Sequence, residues 1–247
     1  MDSFDSFDVA SFTSTLTSPP GYDAAPPASS SPGQSSPSRT RHDNPFLAAF
    51  LAARASLLSK HPCLPSLFSP STPPAARAAC WESLASAGSL LVDAYAWCVP
   101  NDLALDVLLH HSPIVEVGSG ANACWARAAT AAGADHAAYD ANPAGGGKIN
   151  AKSEGGGRFR VMRGGPEVLS RKANRGRTLF LAFPDEFSEL GLACLENYAG
   201  DVVIHAGELF GDGVGHEQAP WGRSSSPEFL ATLQKDFHCV LKAALPR

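Results

Sequence analysis

The sequence predicts an α/β fold built on a mostly parallel β-sheet with helices on both faces. After residue 112, short apolar runs alternate with helical segments, an alternation typical of parallel sheets. The runs are apolar throughout, as expected for strands buried on both faces. With 247 residues, of which 44% are apolar and 17% are charged, the chain can also bury one full-sized core.

Six strands and three helices are predicted for this domain, which covers residues 113–247. The strands are expected over residues 114–117, 136–139, 159–162, 178–183, 202–205 and 237–241. The helices are expected over residues 123–132, 186–197 and 227–234.

Residues 45–112 are predicted to form helices that lead into the domain. The first begins with Asn44 as N-cap and Pro45 at the first helical position, where a missing N–H costs nothing. A second helix is expected from Pro74, and a third, shorter one over ALDVLLH. The candidates for the buried side of the second helix are Trp81, Leu84, Leu91 and Tyr95.

Residues 1–44 are rich in Ser, Pro and Asp, and we expect a disordered tail there. The tail has no Lys or Arg before Arg39, unlike the basic start of targeting peptides. No apolar run reaches the roughly 18 residues that a membrane span needs. We therefore expect a soluble intracellular protein, in the cytoplasm or alternatively in the nucleus.

The cysteines and histidines show no metal-binding pattern. No C-x-x-C pair occurs, and the eight histidines lack ligand spacing. The six cysteines are Cys63, Cys80, Cys98, Cys124, Cys194 and Cys239. We expect reduced thiols, with neither a disulfide framework nor a metal site.

A glycine-rich turn, Gly118-Ser119-Gly120, follows the first strand of the domain and opens its first helix. In such a fold, glycines at this turn let the backbone approach a ligand, and the helix start presents free N–H groups. Asp140 ends the second strand, where its carboxylate can accept hydrogen bonds from two ribose hydroxyls. The sequence therefore predicts a Rossmann-like domain with a nucleoside-containing ligand at this turn.

Two kinds of ligand fit the spacing. As G-x-G-x-x-A, with Ala123 last, the turn matches a dinucleotide-binding fingerprint. As E-x-G-x-G, beginning at Glu116, it matches the first motif of S-adenosylmethionine-dependent methyltransferases. The carboxylate of Glu116 favours the second, because it would oppose a pyrophosphate and attract an amino group. A carboxylate that caps backbone N–H groups at the strand end is the structural alternative.

Several segments together, YAWCVPNDLALDVLLHHSPIVEVGSG, WARAATAAGAD, AYDANP, RTLFLAFP and YAGDVVIHAGE, resemble a group of uncharacterised methyltransferase-like proteins. The resemblance covers roughly Tyr95 to the C-terminus. It implies a class I methyltransferase fold with S-adenosylmethionine as cofactor, and a ligand pocket walled by Tyr95 to Pro100. It implies no substrate.

The chain departs from that family at three places. Asn122 replaces the third glycine, and F-P-D-E replaces the family's W-P-P-Y after the fourth strand. Asp185 and Glu186 of this element, with Glu208 in HAGE, are the candidates for orienting or deprotonating a substrate. For Asp185 and Glu186, a carboxylate placed there by the helix dipole is the alternative. For Glu208, the alternative is a pair with a surface arginine. The third departure is the end at KAALPR, which would omit the last strand and leave the sixth without its antiparallel neighbour.

A basic cluster lies in a chain whose net charge is −5. Residues 148–177 hold nine Lys or Arg against two Glu. Nucleic acid is a conceivable partner, but only Phe159 is available for base stacking, so a solvated insertion is favoured.

The expected function is S-adenosylmethionine binding and methyl transfer to an unknown acceptor, such as a small molecule. The residues expected at the cofactor are Glu116, Gly118, Ser119, Gly120 and Asp140, with Tyr95 and Pro100 as the wall. A scaffold that has lost activity and an NAD(P)-dependent oxidoreductase remain open. The sequence predicts no oligomeric state.

Overall fold

The computed structural model describes residues 8–13, 42–120, 122–143, 160–207 and 224–246. They form a seven-stranded sheet with the order β4-β3-β2-β5-β6-β1-β7. The strands are β1 (Asp8–Thr13), β2 (Ile114–Val117), β3 (His136–Asp140), β4 (Met162–Arg163), β5 (Thr178–Ala182), β6 (Val202–Ala206) and β7 (His238–Ala244). The helices are α1 (Pro45–Lys60), α2 (Pro74–Ala94), α3 (Asp102–His110), α4 (Cys124–Ala131), α5 (Leu190–Asn197) and α6 (Pro227–Asp236).

The predicted Rossmann-like α/β fold is confirmed. Strands β4, β3, β2, β5 and β6 are parallel neighbours. Each of the six predicted strands has a counterpart in the sheet, with ends that differ by a few residues. Helix α5 begins at Leu190, four residues later than expected, because residues 183–189 form an irregular loop.

Hydrophobic clusters cover both faces of the sheet, as the uninterrupted apolar strands predict. Alternate residues of each strand point to opposite faces. Val115, Leu179 and Val203 belong to a cluster with Phe229 and Leu233 of α6. Ile114, Phe180 and Ile204 belong to a second cluster with Leu105 and Leu108 of α3 and Trp125 of α4.

Strand β1 corrects two expectations. It lies between β6 and β7 and pairs antiparallel with both, so that Ser11 lies opposite Ile204 on one side and Leu241 on the other. The expectation that the sixth predicted strand lacks an antiparallel neighbour is therefore wrong. The neighbour comes from the segment that composition predicts as a tail, of which six residues belong to the sheet.

The N-terminal helices begin as predicted but bury less than expected. Asn44 caps α1, where its Oδ1 accepts a hydrogen bond from Leu47 N at 3.0 Å. Helix α2 starts at Pro74 and runs for 21 residues, of which only Cys80 is buried. The four predicted core residues, Trp81, Leu84, Leu91 and Tyr95, are all half-buried. Neither these nor the other described helices are long and apolar enough to cross a bilayer.

Candidate functional site

The glycine turn lies where the direction of strand addition reverses. Strand β2 has β3 on one side and β5 on the other, and such a switch point leaves a crevice beyond the carboxyl ends of the strands. Gly118 and Gly120 follow β2 with φ angles of 80° and 70°, which favour glycine. The N–H groups of Gly118 and Ser119 donate to the Tyr139 carbonyl oxygen at 2.9 and 3.1 Å. The turn is thus fixed to the end of β3.

Asp140 closes the turn from the neighbouring strand. Its Oδ2 accepts a hydrogen bond from Gly120 N at 2.9 Å, and its Oδ1 accepts one from Asn142 N at 2.8 Å. Each carboxylate oxygen can accept a second hydrogen bond, so the group can still receive ligand hydroxyls. The predicted proximity of Asp140 to the glycine turn is therefore present in the structure.

The glycine turn has open space at Gly120 and a buried hydroxyl at Ser119. A Cβ added to Gly120 would meet nothing within 4 Å. The Ser119 hydroxyl is buried and has no hydrogen-bond partner among the described residues. An unsatisfied buried hydroxyl is costly, and a ligand at the turn would relieve that cost.

Glu116 makes a buried contact within the sheet. Its side chain is 2% exposed, and its Oε2 lies 3.0 Å from Nε2 of His136, whose side chain is fully buried. The contact joins β2 to β3 beneath the turn. At least one oxygen of Glu116 is thus engaged within the sheet, and the structure brings in His136, which the sequence did not indicate.

Asn122 ties the glycine turn to the N-terminal helices. Its Nδ2 donates to the carbonyl oxygens of Asp93 at 3.0 Å and Tyr95 at 3.4 Å. The ring of Tyr95 stacks on Phe46 of α1, with centroids 4.7 Å apart and planes at 4°. Tyr95 therefore stands beside the turn through its backbone, while its ring packs against the first helix.

The remainder of the predicted wall is fixed by two further side chains. Asn44 Nδ2 donates to the Pro100 carbonyl oxygen at 2.7 Å. Trp125 Nε1 of α4 donates to the Cys98 carbonyl oxygen at 3.1 Å. The segment between α2 and α3 is thus attached to both the first helix and the helix that follows the turn.

The loop after β5 has an unusual backbone. Phe183 and Asp185 adopt φ angles of 52° and 77°, which are rare for residues other than glycine. Asp185 N donates to the Ser224 carbonyl oxygen at 2.9 Å, and the Asp185 Oδ1 accepts from Phe187 N at 3.1 Å. Asp185 is exposed and Glu186 half-buried, and neither begins a helix. Glu208 lies outside the described residues.

Two features of this edge of the sheet were not predicted. The Trp97 indole stacks on the Phe183 ring, with centroids 5.1 Å apart and planes at 13°, while 63% of Trp97 stays exposed. His205 of β6 is fully buried with Nε2 3.4 Å from the Ser225 hydroxyl. Burial lowers the pKa of His205 to about 4. Both contacts join residues far apart in sequence, so no local pattern signals them.

The described part of the basic cluster is divided between the two edges of the sheet. Arg175 and Arg177 directly precede β5 at the amino ends of the parallel strands, and Arg177 pairs with Asp135 at 2.9 Å. Arg163, the exposed last residue of β4, instead lies opposite Asp140 in the β3–β4 ladder, so this member of the cluster borders the carboxyl edge beside the glycine turn. Arg171 lies over the Tyr139 ring, 5.7 Å from its centroid. Lys148, Lys152 and Arg158 are outside the described residues.

Among the described residues, no group of His, Cys, Asp or Glu could hold a metal ion. All six cysteines lie among the described residues, and none of them forms a disulfide. Burial raises the pKa of Cys98, Cys124 and Cys194 to about 12, which leaves these thiols unreactive at neutral pH.

No family model, curated protein or solved structure matches this chain. The fold and the switch-point turn define the class as a Rossmann-like α/β domain.

Proposed function

We propose that this protein binds S-adenosylmethionine at the Gly118–Gly120 turn and transfers its methyl group to an acceptor. One observation carries the proposal: Asp140 at the end of β3 lies against the open glycine turn at the switch point of the sheet. The buried Ser119 hydroxyl, which has no hydrogen-bond partner among the described residues, supports a ligand at the same place.

Each group of the site has a role in this proposal. Asp140 accepts hydrogen bonds from the ribose hydroxyls, while Gly118 and Gly120 allow the ligand to approach the backbone. Residues 95–100, fastened by Asn122 and Trp125, form the wall that limits water. S-adenosylmethionine supplies an already activated methyl group, so the protein mainly aligns donor and acceptor.

The Glu116–His136 contact bears on whether the turn could bind NAD(P) instead of S-adenosylmethionine. A free carboxylate beneath the turn would disfavour a pyrophosphate, but one bound to His136 opposes it less. An NAD(P)-binding site is therefore the second candidate, and direct titration separates the two.

Calorimetric titration with S-adenosylmethionine, S-adenosylhomocysteine and NADPH tests the proposal. We expect the two adenosyl ligands to bind and NADPH to give no signal. Asp140→Ala should weaken their binding about tenfold or more, because it removes acceptors of two hydroxyl hydrogen bonds. Asp201→Ala is the matched control, since Asp201 is exposed and lies at the amino end of β6.

Three outcomes would contradict the proposal. Binding of NADPH alone would favour an oxidoreductase. No binding of any of the three ligands would leave a scaffold without a cofactor. Equal losses in Asp140→Ala and Asp201→Ala would place the ligand elsewhere.

A further inference from the structure

The stacked pair of Trp97 and Phe183, here called the aromatic platform, lies next to the proposed cofactor crevice. Phe183 directly follows β5, and β5 is the neighbour of β2 at the switch point. Phe183 N donates to the Ala206 carbonyl oxygen at 2.8 Å, which fixes the residue at the carboxyl edge of the sheet. Trp97 precedes Cys98, whose carbonyl oxygen is held by Trp125 of the helix after the glycine turn.

Within the aromatic platform, the Trp97 side chain stays largely exposed. Trp97 is 63% exposed although it already stacks on Phe183 at 5.1 Å, so a large part of the indole remains open. Phe183 reaches its position only with a φ of 52°, a costly conformation for an aromatic residue. Strained residues cluster at ligand sites because the fold maintains them for a purpose other than stability.

The charges around the platform select against anions. Neither residues 91–101 nor residues 182–197 contain Lys or Arg. The same segments carry Asp93, Asp185 and Glu189, which are exposed, and Glu186, which is half-buried. A phosphate-bearing ring would be repelled here, whereas a cation over the indole face would be attracted both by the carboxylates and by the π system.

We propose that the aromatic platform binds the methyl acceptor, and that this acceptor is a planar nitrogen heterocycle without anionic groups. This inference rests on the proposed methyl transfer. In the reaction, the lone pair of the ring nitrogen forms the new N–C bond while the methyl C–S bond breaks and its electron pair stays on sulfur. Positive charge thus moves from sulfur to the ring nitrogen, and no proton is transferred.

The platform stabilises the charge that this step creates. The ring nitrogen becomes cationic against the face of Trp97 and near Asp185, so the attraction is stronger in the transition state than for the neutral acceptor. A general base is not required, which agrees with the burial of His205, the one described histidine on β6.

Calorimetry with three probes tests the inference. N-methylquinolinium is a planar cation and mimics the product, N,N-dimethylpiperidinium is a saturated cation, and quinoline-4-carboxylate is a planar anion. We expect N-methylquinolinium to bind at least tenfold more tightly than either of the others. The protein should also convert quinoline and S-adenosylmethionine into N-methylquinolinium and S-adenosylhomocysteine.

Matched variants locate the binding. Trp97→Leu should raise the Kd for N-methylquinolinium about tenfold, whereas Phe68→Leu, which removes a 64% exposed ring elsewhere, should not change it. Asp185→Asn should raise the Kd about threefold; asparagine can keep the hydrogen bond to Phe187 N and tolerates the positive φ.

Equal binding by wild type and Trp97→Leu, tighter binding of the carboxylate, or no binding of the planar cation would each overturn the inference. Failure of the proposed function has a different signature. If N-methylquinolinium binds at Trp97 but S-adenosylhomocysteine does not bind, the acceptor role is overturned. If only S-adenosylhomocysteine binds, methyl transfer stands and the platform is not the acceptor site.

Discussion

Asn122 connects the glycine turn to the N-terminal helices through its side chain. Its amide donates to the carbonyl oxygens of Asp93 in α2 and of Tyr95, which directly follows α2. The sequence singles out Asn122 but gives no sign of these partners, which lie 29 and 27 residues away.

His205 makes the stability of the fold depend on pH. An unfolded histidine binds a proton below about pH 6.5, whereas burial lowers the pKa of His205 in the fold to about 4. The unfolded state therefore binds more protons between these values, and stability is lost as pH falls through this window. When the pH falls from 7 to 5, we expect the burial of His205 to lower the free energy of unfolding by about 2 kcal/mol.

Urea denaturation of wild type and His205→Asn at both pH values isolates this contribution from that of the carboxyl groups. The variant should lose about 2 kcal/mol less than wild type on acidification. Identical losses in the two proteins would show that His205 is not buried as a neutral base.

Thiol reactivity checks the burial of the cysteines in the structure. Cys239 is the exposed cysteine, while Cys98, Cys124 and Cys194 have pKa values raised to about 12 by burial. At pH 8, a disulfide reagent should modify one thiol rapidly in the native protein. Cys239→Ser should abolish the fast phase, and Cys63→Ser should leave it unchanged. A fast phase that persists in Cys239→Ser would contradict the packing around the other thiols.

At the scale of elements, two helical glycines have opposite roles. A Cβ on Gly191 of α5 would lie 2.9 Å from Cδ2 of Phe229 in α6, so this glycine permits the two helices to pack closely. A Cβ on Gly88 of α2 would meet nothing within 4 Å. We expect Gly191→Ala to destabilise the protein by about 1–3 kcal/mol. Gly88→Ala should stabilise it by up to about 1 kcal/mol.

Thermal unfolding of the two variants measures the contrast directly. Both replacements add one methyl group to a helix, so a large difference between them reports the contact with Phe229. A Gly191→Ala protein as stable as Gly88→Ala would mean that α5 and α6 do not pack closely at that position.

Elements were predictable where the signal is local. Strand β2 is indicated by the three apolar residues of IVEV before the glycine turn, and α1 by its N-cap and its first proline. Strand β1 was not predictable, because DVASFT lies in a polar, serine-rich stretch and its partners are about 190 and 230 residues away. The Trp97–Phe183 stack escaped prediction for the same reason, since it joins two separate loops.

At the scale of the whole molecule, the N-terminal segment completes the sheet. Strand β1 supplies the antiparallel neighbour for both β6 and β7. The two ends of the described chain therefore meet in one sheet, although the glycine turn and Asp140 lie several strands away.

Replacing Ala10 of β1 with proline tests whether β1 pairs within the sheet. Proline lacks the N–H that a central strand donates, so Ala10→Pro should lower the unfolding free energy by about 1–3 kcal/mol. Ala10→Val retains the N–H and favours extended backbone, and it should leave stability close to wild type. Hydrogen exchange should also accelerate in β6 and β7 of the proline variant alone. Wild-type stability and exchange in Ala10→Pro would show that β1 does not occupy the sheet.

A crystal structure of the protein with S-adenosylhomocysteine would show directly whether the ligand binds at the glycine turn. We expect the adenosine ribose within hydrogen-bonding distance of the Asp140 carboxylate, and the ligand against the backbone of Gly118 to Gly120. Ligand at any other place on the sheet, or a turn that stays empty at saturating concentration, would show that this turn is not the cofactor site.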